Sequence, residues 1–281
     1  MILFYTASIY LLMYPFICWI KGAEQSRGSR LLNWCRGQLK FASVRPDLLI
    51  LLLKLLFIPL MYLGVITYGA FLEHNIYALQ NNSFEGVEYF NRIIFPLVVN
   101  LIMFLALGVY AFGYMVESKA LKTNIQSVDE TFMGWLVCII CYVPFFTFIC
   151  YIIPMATREY EFFINQEITA VVRSFLLLVM TFKISAIFTL GAKSSNLTNR
   201  GIVTSGVYKW IRHPHYLCKL IVWWTCSLPT LWEHPLLIGG MIFWTVIYVL
   251  RALTEEQHLM KDEAYVFYMK DVKWRFVPRV F

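Results

Sequence analysis

Charge is scarce in this chain. Asp, Glu, Lys and Arg make up 15% of its 281 residues, against about 25% in an ordinary soluble protein. That shortage excludes a water-soluble domain with a charged shell. Period-two alternation is missing from the apolar segments, which excludes the strands of a membrane barrel. No internal repeat and no low-complexity tract is present. The seven cysteines (18, 35, 138, 141, 150, 218 and 226) fall mostly inside apolar runs, so no disulfide framework is indicated. Cys138 and Cys141 form a CxxC, read here as two small apolar residues one helical turn apart. His74, His234 and His258 share no metal-ligand spacing. His213 and His215 flank a proline and have no partner cysteine or carboxylate pair. No metal is therefore expected, and no nucleic-acid partner either.

What the chain has instead is apolar length. Hydrophobic residues make up 59%, the mean hydropathy is +0.63, and the apolar residues come in long runs. Only helices or closed barrels satisfy their backbone in lipid. The fold class is thus all-α, a polytopic transmembrane helical bundle. About 20 apolar residues cross a bilayer. By that rule the spans are 2–20, 47–72 (bounded by Pro46), 93–115, 132–153 (containing Pro144) and 168–190. Two shorter arms follow, 214–228 and 236–252, joined by a Pro-bounded turn into a helical hairpin. That makes about seven spans. The first run lacks a basic leader and precedes a basic loop, so it reads as a retained span. Ser127 to Glu130 reads as a capping box for the helix that follows. The chain divides into an N-terminal bundle, 1–190, and a C-terminal region, 191–281.

Charge alternates loop by loop. The loops after the first, third and fifth spans, with the tail from Arg251, hold 18 of the 24 Lys and Arg. The intervening loops hold Arg92 and Arg158 and seven acids. The positive-inside rule then places the N-terminus outside and the C-terminus in the cytosol. The host membrane is read as a bacterial inner membrane or endoplasmic reticulum.

Two polar clusters fall on that cytosolic side. The first is Tyr208, Arg212, His213, Pro214 and Tyr216, with Gly201 and Gly206 nearby. Proline suits a first helical turn, where its missing N–H is unpaired anyway. The positive end of the helix, with Arg212 and His213, makes a seat for a carboxylate or phosphate. Tyr208 and Tyr216 offer flat surfaces for an aromatic ring. The bland alternative is a belt of boundary cations and aromatics; six such residues within eleven positions favour a site. The second cluster is Arg251, Glu255 and Glu256, then Tyr265 and Tyr268. Arg251 and Glu255 are four apart, share a helix face and are expected to pair. Acids at the end of an apolar helix mark a functional site by default. Lys54, Arg173 and Lys183 read as snorkelling anchors. Lys219 is left open.

These residues carry a resemblance. GVYKWIRHPHY (206–216), a hydrophobic hairpin, RALTEEQHL (251–259) and AYVFYMKDVKWRFVP (264–278) resemble the C-terminal signature of the isoprenylcysteine carboxyl methyltransferases. Phospholipid N-methyltransferases and related membrane methyltransferases share that signature. The resemblance covers about Gly201 to Pro278. It implies S-adenosylmethionine as cofactor, with Tyr208, Arg212, His213, Pro214, Tyr216, Glu255 and Glu256 lining its pocket. It implies a lipid-borne or prenylated acceptor near Arg251, with Arg251 and Glu255 as catalytic residues; for an amine acceptor, Glu255 or Glu256 would be the base. Three places depart from the family pattern. His215 stands where serine is common, Cys218 and Lys219 where a small residue is, and Asp262 to Ala264 where a glycine is. Rival readings are a phospholipid N-methyltransferase, an NADPH-dependent membrane sterol or steroid reductase, and a non-enzymatic transporter or scaffold.

Overall fold

A computed structural model describes residues 27–118, 121–157, 160 and 162–279. The expected span at 2–20 lies outside the described residues. Among them, helix is the dominant element. Four helices are long and apolar enough to cross a bilayer: α2 (Phe41–Gln80), α3 (Gly86–Met115), α6 with its terminal turn (Gln166–Lys193) and α8 with its leading turn (Pro235–Leu259). A short α1 (Arg27–Cys35) precedes them. The others are α4 (Phe132–Ile139), α5 (Phe145–Ile152), α7 (Pro214–Glu233) and α9 (Glu263–Asp271).

α2 is longer than its apolar run. Forty residues at 1.5 Å each reach about 60 Å, twice a hydrocarbon core. It does not stop at Pro46; it begins at Phe41, and both Pro46 and Pro59 lie within it. Asp47, near its start, is met by Arg30 at 3.3 Å and Arg27 at 3.8 Å, which ties α1 to α2. α3 contains a π-helical segment, Phe90–Ile94.

The run 132–153 is a correction to the expected span. It breaks between Ile139 and Phe145 into α4 and α5. Eight residues each give about 12 Å, too short to cross. The capping box is also corrected. Ser127 lies in a two-residue strand, β1 (Ser127–Val128), paired antiparallel with β2 (Thr198–Asn199). The helix is capped by Thr131, whose hydroxyl accepts the Gly134 N–H at 3.1 Å. The hairpin is present with longer arms, α7 and α8. α7 carries Pro214 in its first turn and Pro229 inside.

Three apolar clusters join these helices. Leu53, Phe57 and Met61 of α2 pack with Ala111 and Tyr114 of α3 and Trp135 of α4. Phe95, Val99 and Ile102 of α3 meet Leu176 and Met180 of α6 and Cys226 of α7. Ala186 of α6, Val207 and Tyr208 meet Tyr265 and Tyr268 of α9.

Arg173 and Lys54 are not snorkelling anchors. Arg173 is 2% exposed, donates to the carbonyls of Asn91 and Tyr160, and lies over the Phe95 and Phe162 rings at 4.8 and 4.6 Å. Lys54 pairs with Glu117 at 2.5 Å, and Arg27 reaches the same carboxylate. Burial alone would raise the Glu117 carboxyl, but Lys54 and Arg27 outweigh it and hold the group below its ordinary value.

One contact between α8 and the loop after α5 leaves no space. A methyl group on Gly240 would lie 1.9 Å from the Pro154 carbonyl oxygen, whereas one on Gly239 meets nothing within 4 Å. Gly240→Ala is expected to cost about 1–3 kcal/mol by overpacking. Gly239→Ala is expected to cost nothing, since alanine is the better helix former. Thermal unfolding of the two variants in detergent separates them. Equal midpoints would mean that α8 does not sit against Pro154.

Candidate functional site

The loop between α6 and α7 carries the first cluster into place. A 3₁₀ turn, Gly206–Lys209, leads into Arg212 and His213 just before α7. Gly206 has φ +59°, a left-handed conformation that favours glycine. A methyl there would also fall 2.7 Å from the Thr189 hydroxyl. The C-terminal tail runs beside this loop. The N–H groups of Arg212 and His213 donate to the carbonyls of Trp274 and Arg275, each at 2.9 Å.

Glu256, 2% exposed, is the centre of the charge. Arg212 donates to it from Nε at 2.7 Å and Nη2 at 3.3 Å. The His213 Nε2 lies 3.1 Å away, and Arg275 Nε donates at 2.9 Å. The remaining Arg212 nitrogen, Nη1, serves the carbonyls of Val272 and Lys273, both at 3.0 Å. The side chains expected to seat an external anion are therefore spent on an internal one. They lock the start of α7, the end of α8 and the tail together. Arg275 was not foreseen. A cation in the tail opposite a buried acid is the one sequence signal that could have found it.

Beside this lock lies a cavity of about 500 Å³. Of the eight residues that the resemblance assigns to the site, seven line it: Tyr208, Arg212, His213, Pro214, Tyr216, Arg251 and Glu255. Glu256 sits behind that wall. The expected Arg251–Glu255 pair is a correction, because each finds a partner on another element. Arg251 donates through Nη2 to the side-chain amide oxygen Oδ1 of Asn196 and to the Tyr142 hydroxyl, the latter at 3.3 Å. It also lies among three rings, Tyr142, Tyr216 and Tyr248, at 5.4–5.8 Å. Glu255 accepts the Tyr216 hydroxyl at 2.7 Å. Burial pushes the Tyr208 and Tyr268 phenols above their ordinary values. Both stay protonated, and Tyr268 donates to the Tyr208 carbonyl at 2.7 Å.

The cavity has two unlike ends. One is polar, walled by Ser194, Asn196, Asn199 and Arg200. The Ser194 hydroxyl and the Nε and Nη2 of Arg200 are buried there without a hydrogen-bond partner among the described residues. The other end is apolar, walled by Phe95, Val99 and Met103 of α3 and Leu176 and Met180 of α6. From Tyr110 to Phe95 the lining runs fifteen residues along α3, about 22 Å.

Sequence reasoning missed the charged residues at mid-cavity. Lys183, taken for an anchor, lines the cavity with its ammonium 3.7 Å from the Met103 sulfur. Lys219 also lines it, donates to the Tyr248 hydroxyl, and lies 4.6 Å from the Trp223 ring. Their signal was plain: an ionisable residue inside an apolar run is a functional hypothesis by default. Cys138 is buried in the α2–α4 core, while Cys141 faces the cavity. Among the described residues no three His, Cys, Asp or Glu side chains gather as a metal site.

Residues 166–261 match the isoprenylcysteine carboxyl methyltransferase (ICMT) family. The match covers 96 of the 281 residues. It runs from the start of α6 to the end of α8 and takes in the polar loop, the hairpin, the first cluster and Arg251, Glu255 and Glu256; Tyr265 and Tyr268 lie beyond it. Delta(14)-sterol reductase TM7SF2 of Mus musculus is 33% identical to this chain over 86 residues, 30% of this chain and 21% of that protein. The chain thus covers about a fifth of that relative's length. No solved structure matches.

Proposed function

We propose that this integral membrane protein is a methyltransferase, using S-adenosylmethionine to methylate a lipid-borne or prenylated acceptor. The observation that carries this is the two-ended cavity. A polar donor enters from one side and an apolar chain from the other, and they meet beside Arg251 and Tyr216. The family match over residues 166–261 supports the same reading. A prenylcysteine carboxylate is the acceptor that the family likeness suggests; a phospholipid amine is the alternative.

The residues present fit the cofactor, with one change of role. The cavity volume lies within the range of small-molecule sites, about 300–1,000 Å³. Tyr208 and Tyr216 offer aromatic walls, and Glu255 offers a carboxylate to hydroxyls or an amine. The seat for the cofactor's own carboxylate moves from Arg212 and His213 to the Ser194 hydroxyl and the Nε and Nη2 of Arg200, which have no partner among the described residues. Bound there, S-adenosylmethionine supplies an electrophilic methyl group. The protein's part is to hold two reactants in line and to exclude water.

The sterol reductase likeness favours a second reading, in which the same polar end holds NADPH. Binding separates the two. Detergent-purified protein is expected to bind S-adenosylhomocysteine saturably and NADPH weakly or not at all. Glu255→Gln is expected to weaken that binding about tenfold or more, the worth of a hydrogen bond to a charged group. Saturable binding of NADPH alone would replace the methyltransferase reading with a reductase.

A further inference from the structure

A neutral acceptor needs a base to take its proton as the methyl group arrives. The obvious bases in this cavity and behind its wall are occupied. Glu256 receives Arg212, His213 and Arg275. Glu255 receives the Tyr216 hydroxyl, and His213 faces Glu256 with its Nε2. His215 is different. It lines the same cavity. Its Nδ1 lies 3.4 Å from the Tyr110 hydroxyl, and its ring stacks against Tyr110 and tilts toward Tyr216, with centroids 6.1 and 5.9 Å apart. Its Nε2 is buried and has no hydrogen-bond partner among the described residues. A buried polar atom without a partner requires a reason, and an incoming donor group is one.

Its surroundings keep the ring neutral, so that it is free to accept a proton. His215 is the second residue of α7, where the positive end of the helix dipole disfavours a resident positive charge. Lys183, Lys219 and Arg251 line the same cavity. With Nδ1–H donated to the Tyr110 oxygen, the lone pair rests on Nε2. The same three cations favour an acceptor that passes through negative charge and disfavour an amine. The rings of Tyr110, Tyr216 and Tyr248 favour a flat one.

We propose that His215 is the general base of this cavity and that the acceptor is a phenol-type hydroxyl carried on an apolar chain. The proposal rests on the methyl-transfer reading. The acceptor O–H bond breaks and its proton passes to His215 Nε2. The oxygen–methyl bond forms as the methyl–sulfur bond breaks, and that electron pair stays on sulfur. The products are an aryl methyl ether, a neutral sulfide and an imidazolium.

The proton step can be read without any methyl donor. The probe is 4-nitrophenol bearing a long alkyl chain, whose phenolate absorbs in the visible. Detergent-purified protein is expected to bind it and to raise its ratio of ionised to un-ionised form about tenfold over detergent alone, one pKa unit. His215→Asn and His215→Gln are expected to abolish that rise while still binding S-adenosylhomocysteine, which shows that both variants are folded. With S-adenosylmethionine added, both are expected to slow methylation of a long-chain phenol by about 10²–10⁴-fold. An ionised fraction unchanged by both substitutions, or a probe bound un-ionised by the unaltered protein, would overturn the base assignment. Ionisation lost in both variants, in a protein that never binds S-adenosylhomocysteine, would uphold the base and remove methyl transfer instead.

Discussion

Glu256→Ala is expected to destabilise the folded protein by about 3–5 kcal/mol, as removing one partner of a buried charge cluster does. The substitution leaves Arg212 and His213 buried with no acid to face, since their side chains are 5% and 6% exposed. It also releases Arg275, and with it one of the ties between tail and α8. Arg212→Ala should cost less, because Glu256 keeps His213 and Arg275. Glu256→Gln should fall between the two, keeping the shape of the acceptor but not its charge. Unfolding of the three variants in detergent, followed by temperature or by SDS titration, gives the order. If Glu256→Ala unfolds like the unaltered protein yet loses S-adenosylhomocysteine binding, the carboxylate is a ligand for the cofactor and the lock is incidental.

This order matters because sequence reasoning placed Glu256, Arg212 and His213 on the cofactor. Their types and spacing were legible, and so was their convergence, since a hairpin returns the chain to the side it left. Whom each side chain would face was not. Arg212 has as many donors for an external anion as for an internal one, and Glu256 stands 44 positions away. Arg251 and Glu255 illustrate the same limit. A spacing of four puts both on one helix face, but Asn196, Tyr142 and Tyr216 arrive from other elements and outcompete the local pair. The long apolar helices were legible for a simpler reason: a run of that length has few other fates in lipid. Hydropathy could not show that 132–153 breaks near Pro144, because the composition is the same on both sides of the break. Lys183 and Lys219 were visible as charges in apolar runs. That they face a cavity follows only once α6 and α7 are packed against α3.

Arg251→Lys is expected to lower the rate of methyl transfer by about 10²–10³-fold while S-adenosylhomocysteine affinity changes by no more than about twofold. Arg251 is 7% exposed and held from two directions, by Asn196 and Tyr142 through its Nη2 and by three tyrosine rings around its plane. Those contacts hold a flat fork of donors in one orientation, and in the proposed methyl transfer that fork would face the acceptor. Lysine keeps the charge but cannot reproduce the fork or its stacking. A large loss would therefore report geometry and not mere attraction. Asn196→Ala, which removes one support and leaves the guanidinium in place, should cost less, on the order of tenfold. Single-turnover rates with saturating cofactor, set beside binding of S-adenosylhomocysteine, make the comparison. If Arg251→Lys instead abolishes binding of the homocysteine compound, Arg251 belongs to the cofactor. The acceptor would then be oriented by the cations deeper in the cavity, Lys183 and Lys219, and the meeting point of the two reactants would lie further from the polar end.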